Sequence, residues 1–328
     1  MRRRPIKLSY EAGDLQTVDT VLQNFSVGEL QEKPFAADIL FPFVPVEKET
    51  GTYYKHDPSA SRRAVEAIRA RKARSAQVEQ AITDATFACK EYALHDILED
   101  AIVANADVVL RGGMRERTAK FVLNLLRLAR EKRAVTLATT VTNYPTAHRI
   151  TGGADWEIIT IDSRDEVNQA KELIRQKWGD SSQMAMLITA PVLNALRKNN
   201  FVMEAIKYTM AAKASDITPA LLAGFYGVDR LFVAGSTEVT SKEGQTVAVA
   251  DLWPDDVIVF RYEDNPMTND VGLFGVTHAV SNDVFTNGIQ SNRWREEGVR
   301  GEIIEECMCV QENIVNNNLG VHIDNVLG

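Results

Sequence analysis

Cysteine is scarce: Cys89, Cys307 and Cys309 are the only three in 328 residues. An odd, low count is not a disulfide framework, which argues against a small stapled secreted domain. No apolar run is long enough to cross a bilayer. Met1-Arg2-Arg3-Arg4 is basic, but no apolar stretch follows it, so it does not read as a secretory signal. The chain is therefore expected to be made and used in a cytosol. Positive charge is also in deficit. The formal net charge of -8 argues against a general nucleic-acid binder, whose surface is normally basic.

Catalytic motifs are missing as well. The histidines, His56, His95, His148, His278 and His322, are scattered, and none stands at metal-ligand spacing from another ligand. In Cys307-Met308-Cys309 both thiols would share a strand face, but one such pair is not a four-ligand zinc site. It reads as two half-buried thiols. Arg111-Gly112-Gly113-Met114 lacks the preceding strand and the lysine–serine ending of a phosphate loop, and reads as a helix start. Ser181-Ser182, Ser236-Thr237 and Ser241 have no nucleophile-elbow surroundings. No catalytic residue, cofactor-binding residue or metal ligand is predicted, no cofactor is implied, and the chain is not expected to be an enzyme.

What is present is an ordinary globular composition, 45% hydrophobic and 25% charged, long enough for two or more lobes. Residues 92–104 read as a helix, with Tyr92, His95, Ile97, Leu98, Ala101 and Ile102 near one face. A longer helix follows, with an apolar stripe of Met114, Phe121, Val122, Leu125, Leu128 and Ala129. That stripe predicts that Phe121 and Leu125 are buried. Ala134–Ala138 and Trp156–Ile161 read as strands. Ser163-Arg164-Asp165-Glu166 has the form of a capping box. The helix it opens buries Val167, Ala170, Ile174 and Trp178 and stops at Gly179. Met184–Ile188 is a buried strand. Pro191 and Pro219 suit first helical turns, and Gly227 ends the second of those helices. Leu231–Ala234, Val247–Leu252 and Val257–Tyr262 are strands, and residues 272–315 are mostly strand. Without a regular strand–helix alternation, the fold class is α+β.

The most informative stretch is residues 34–92. It opens on Phe41-Pro42-Phe43-Val44-Pro45-Val46. A strand-like piece, Glu47–His56, carries Tyr53 and Tyr54, and a second, Ala85–Tyr92, returns. A lone two-stranded ribbon is marginal in water, so this one is expected to lie on a neighbouring copy of the chain. Residues 1–92 as a whole are expected to make few contacts with their own subunit. Between the strands lie Arg62, Arg63, Arg69, Arg71, Lys72 and Arg74, against the single acid Glu66. Three readings compete for them: nucleic-acid binding, a solvated face, and complementarity to an acidic block (Glu296, Glu297, Glu302, Glu305, Glu306) of another copy. The last is preferred, since such charges set encounter and register.

The order of these elements resembles the tailed-bacteriophage major capsid proteins of the Hong Kong 97 type. The likeness runs through the Phe41–Val46 entry, the two-stranded excursion, the long helix ending Leu128-Ala129-Arg130-Glu131-Lys132-Arg133, and the Trp156 segment. It continues through the Met184–Leu196 strand–helix unit, the Gly224–Val233 turn into a strand, the Trp253–Tyr262 strand, and Trp294–Gly301 before the closing strand. Order rather than any single motif carries it, over nearly the whole chain. The resemblance implies an N-arm (1–46), a two-stranded E-loop (47–92), and a P domain (93–179) with a long spine helix at about 107–133. It further implies an A domain (180–268) and return strands (269–328). The implied function is self-assembly into an icosahedral shell around double-stranded DNA, in a virion assembled in the host cytoplasm. Implied partners are other copies as hexamers and pentamers, a separate scaffold protein, a portal, and DNA touched weakly and non-specifically; no membrane is involved. Phe41, Phe43, Tyr53, Tyr54, the six basic residues and Glu296, Glu297, Glu302 and Glu305 are the expected inter-subunit contacts. An encapsulin-like shell and a soluble enzyme with an unrecognised site are the alternatives.

Overall fold

β-Branched and aromatic residues fill the last third of the chain, and that third frames the larger of two main sheets. A computed structural model describes residues 17–19, 22–23, 26, 35–56, 62, 64, 68–69, 74–75, 77–78, 82–106, 112–152, 156, 158, 162–207, 217–263 and 272–327. In chain order the first half contains β1 (Thr17–Val18), α1 (Ala36–Leu40), β2 (Phe43–Val46), β3 (Thr50–His56), β4 (Ile82–Ala88) and β5 (Lys90–Glu99). α2 (Asp100–Asn105), α3 (Met114–Thr139), β6 (Arg149–Thr151) and α4 (Arg164–Trp178) follow. The second half contains β7 (Met184–Thr189), α5 (Ala190–Leu196), α6 (Asn200–Lys207), α7 (Pro219–Tyr226), β8 (Arg230–Ala234), β9 (Thr237–Val239) and β10 (Val249–Asp251). β11 (Val257–Arg261), β12 (Gly275–Val280), β13 (Ile289–Glu296), β14 (Gly301–Ile314) and β15 (Gly320–Asp324) complete it.

The six-stranded sheet runs β1-β13-β14-β12-β2, with β5 also paired to β14. The five-stranded sheet runs β6-β15-β11-β7-β8. Every residue of β7 and of β11 is buried, as expected for strands covered on both faces. The main core gathers these strands with α4, α5, α7 and α1. Local signals place several elements. Pro191 and Pro219 sit in first turns, and Thr218 accepts a hydrogen bond from Leu221 N. Gly179 (φ 96°) and Gly227 (φ 62°) end their helices in the left-handed region. Val167, Ala170 and Ile174 are buried on α4 as the periodicity predicts.

Six expectations are corrected. Lys90–Glu99 is a strand, and only Asp100–Asn105 is helical, because β5 pairs along its whole length with β14. Ala134–Ala138 continues α3 to Thr139 instead of forming a strand. Phe121 and Leu125 are 55% and 43% exposed. The inward face of α3 is Ala119, Val122, Leu123, Leu126, Arg127, Arg130, Glu131, Ala134, Val135 and Ala138. Polar groups thus occupy positions that an apolar stripe would assign outward. Ser163 forms no capping box: its hydroxyl meets Tyr226 OH at 2.7 Å, while Asp162 Oδ1 accepts from Arg164 N and Glu166 accepts from Trp156 Nε1. Trp156 lies in a turn, and most of the strand expected after it falls outside the described residues.

Finally, the N-terminal segment is not detached. Ala37, Leu40 and Phe41 are fully buried in the main core, β2 pairs in parallel with β12, and β1 pairs with β13. The docking is close enough to exclude a side chain. A Cβ on Gly275 would lie 2.4 Å from the Phe41 ring and 3.2 Å from Asn313 O. Gly275→Ala should therefore destabilise the subunit by about 1–3 kcal/mol through overpacking, measured by urea unfolding. An unchanged midpoint would mean that Phe41 is not seated on β12.

Candidate assembly surfaces

The ribbon is built by β3 and β4, paired in antiparallel register from Thr50↔Ala88 to His56↔Ile82. Its base is stapled to the six-stranded sheet. The Phe87 ring stacks on His278 at 4.4 Å with 4° between planes, and Tyr53 approaches the same imidazole at 5.2 Å. Gly51 leaves room for that ring: a Cβ there would meet Phe87 at 2.7 Å. His278 is wholly buried. Its Nδ1 lies 3.0 Å from the Asn313 amide nitrogen, so the imidazole accepts there. Burial holds its pKa down at about 4, which keeps it neutral and able to stack. Cys89 Sγ reaches His278 O at 3.4 Å at the point where the ribbon rejoins the sheet.

The sequence-predicted contact residues divide accordingly. Phe41 and Tyr53 are buried within their own subunit. Phe43 is also turned inward, under the Arg130 guanidinium at 4.2 Å. Tyr54 pairs with Asp84 through the backbone. Arg62 donates to Gln176 O at 2.8 Å and to Lys177 O. It therefore caps the negative end of α4. Arg69 and Arg74 are exposed, while Arg63, Arg71 and Lys72 lie outside the described residues.

The acidic block is largely engaged at home. Glu302 pairs with Arg115 at 2.7 Å and Arg293 at 3.4 Å, and Glu305 accepts from Asn292 at 3.0 Å. Glu306 is fully buried, so it is no surface partner. Glu297 pairs with Arg295, and Glu296 is exposed. Cys307 and Cys309 share one face of β14 within an apolar cluster, where desolvation raises both thiols, Cys309 to about 11. They are inert packing groups at neutral pH.

Sequence reasoning missed a polar junction where the root of the arm meets α3. Arg130 is 2% exposed. It donates to Asp38, to Phe41 O at 3.1 Å and to Thr277 Oγ1 at 2.9 Å. Glu131, the next residue, accepts from Ala37 N at 2.8 Å, Ser236 Oγ at 3.2 Å and Trp253 Nε1 at 2.6 Å. Burial raises its carboxyl despite these donors. Two consecutive helical residues thus tie α1, β12 and the β8–β9 link together. The only available signal was an Arg-Glu pair inside a long helix, which normally reads as solvated.

No family model matches the chain, and no curated protein matches it in sequence. Solved structures do match in shape. A phage-related protein from Bordetella bronchiseptica RB50 superposes with a TM-score of 0.74 at 20% identity, over 95% of this chain and 98% of that one. The capsid of cyanophage P-SCSP1u gives 0.57 at 10% identity, over 97% and 92%. The mature capsid of bacteriophage PhiM1 gives 0.55 at 10% identity, over 97% and 91%. Over almost its whole length, this chain shares the α+β fold of these solved phage structures.

Proposed function

We propose that this chain is the major capsid protein of a tailed phage, assembling into an icosahedral shell that encloses double-stranded DNA. The observation that carries the proposal is the likeness to phage capsid structures and to a phage-related protein over almost the full length of both chains. In this reading residues 1–46 are the N-arm, 47–92 the E-loop, 93–179 the P domain with α3 as its spine, 180–268 the A domain, and 269–328 the return strands. The chain works by burying surface between copies, as hexamers and pentamers, and performs no catalysis. Obligate interfaces of this kind are large. The ribbon suits the role: its base is pinned at His278 while Ile68 and Val78, between its strands, are 87% and 71% exposed. A net charge of -8 suits a container, because basic walls would hold packaged DNA tightly. A separate scaffold protein, a portal and assembly in the host cytoplasm complete the proposal.

The purified chain should sediment as capsomers or particles, and negative-stain microscopy should show closed shells. A monodisperse small oligomer at every concentration would refute the proposal. Nuclease-protected DNA in particles made during infection marks a phage shell. Particles filled with one protein and no DNA would favour a cargo compartment instead.

A further inference from the structure

We propose that the groove between α3 and the β8–β9 link, together with the adjoining β9–β10 hairpin, is a contact between two copies of this chain. The inference rests on the capsid reading and names one of its interfaces. The groove has a volume of about 580 Å³ and is lined chiefly by Phe35, Phe121, Leu125, Leu128, Val233 and Thr237. Phe121 and Leu125 stand one helical turn apart and are 55% and 43% exposed. Large apolar side chains grouped in this way mark interaction surfaces on soluble proteins.

The hairpin continues the same strip, since Thr237 belongs to both. Among the described residues its two short strands pair only with each other, and β10 is exposed throughout. Val239, Val247 and Val249 are 60%, 68% and 59% exposed. An isolated two-stranded hairpin is marginal in water, and this one adds little to its own core. It is nevertheless held in position: Glu238 pairs with Lys132 of α3 at 2.8 Å, and Leu252 N bonds to Ser236 O at 2.9 Å. The result is a fixed prong, with three exposed valines among Glu238, Lys242, Glu243 and Asp251, beside a fixed apolar groove.

Two features select a second copy as the occupant. The groove lining contains no charged residue, so nucleic acid has nothing there to bind. Prong and groove on one strip also make it self-complementary: the hairpin of one copy covers the groove of another.

The test uses the full chain with a photo-cross-linking amino acid in place of Phe121, prepared from a mixture of unlabelled and nitrogen-15-labelled protein. Isotopically mixed cross-links from position 121 to residues 239–249 are expected. Leu125→Asp and Val249→Asp should each keep the thermal midpoint of the subunit, because both sites are exposed. Each should weaken association by at least about tenfold, as burying an unpaired charge does. Four results overturn the inference: cross-links confined to one copy, cross-links to other peptides, cross-links to a foreign protein, and normal assembly of both variants. If shells still form in those cases, the capsid reading stands without this contact. Mixed cross-links in a chain that forms only small oligomers would support the contact and sink the capsid reading.

Discussion

Arg130→Leu should cost the unassembled subunit at least about 3 kcal/mol of unfolding free energy. Removing one partner of a buried ion pair leaves the other charge without compensation. Arg130 serves Asp38, Phe41 O and Thr277 together, and its Nε stands 3.6 Å from Glu312. Two neighbours limit the loss: Arg127 remains 3.6 Å from Asp38, and Arg133 remains 3.0 Å from Glu312. Phe41 O keeps a hydrogen bond from Thr277 Oγ1 at 2.8 Å. The loss should therefore sit at the low end of the range for such pairs. Adding Asp38→Leu should recover part of it, because the carboxylate that lost its nearer cation is then gone. The damage should be local, loosening α1 and β2 first, seen as faster amide exchange over residues 36–46. A loss below about 1 kcal/mol in urea unfolding would show that the junction is peripheral to stability.

Glu306→Gln should stabilise the subunit at alkaline pH and do little at pH 4.5. Glu306 is fully buried on β14. Ser26 Oγ reaches it at 3.1 Å and Ser291 Oγ at 2.8 Å. No ion pair to it occurs among the described residues, and desolvation lifts its pKa from 4.5 to about 8. The folded chain therefore holds a proton that the unfolded chain releases. Stability from this group is fully present below pH 4.5 and is lost as pH rises toward about 8. The size of the shift bounds the effect at about 5 kcal/mol. Glutamine keeps the shape and the hydrogen bonds without the proton, so the variant should have a flatter pH profile. Equal slopes for both proteins between pH 5 and pH 8 would refute this account. Ser26 belongs to the N-terminal segment, which Gln23 also fastens by donating to Ile289 O at 3.0 Å. Ionisation of Glu306 should thus loosen that segment before the sheet beneath it.

How far the sequence determined this protein depends on how far apart the deciding residues stand. Where the cause was local, the reading held. Thr218-Pro219 opened α7 and Gly227 closed it. Val167, Ala170 and Ile174 defined the inner face of α4, and the unbroken apolar runs of β7 and β11 marked strands covered on both sides. Propensity, capping and a positive φ act within a few residues, so they can be read in one dimension. The fold class was legible on the same basis.

Tertiary structure decided the rest. Lys90–Glu99 became a strand because Gly301–Val310, two hundred residues on, offered it a ladder. α3 ran through the strand-prone Ala134–Ala138 because helical continuation buries Ala134, Val135 and Ala138 in the main core, and packing overrides a weak propensity. The inward turn of Arg130 and Glu131, and with it the outward turn of Phe121 and Leu125, rested on partners remote in sequence: Asp38, Thr277, Ser236 and Trp253. A buried charge is tolerated only when such partners surround it. No local pattern announces them, so the face that this helix presents to other molecules was settled only when the chain closed on itself.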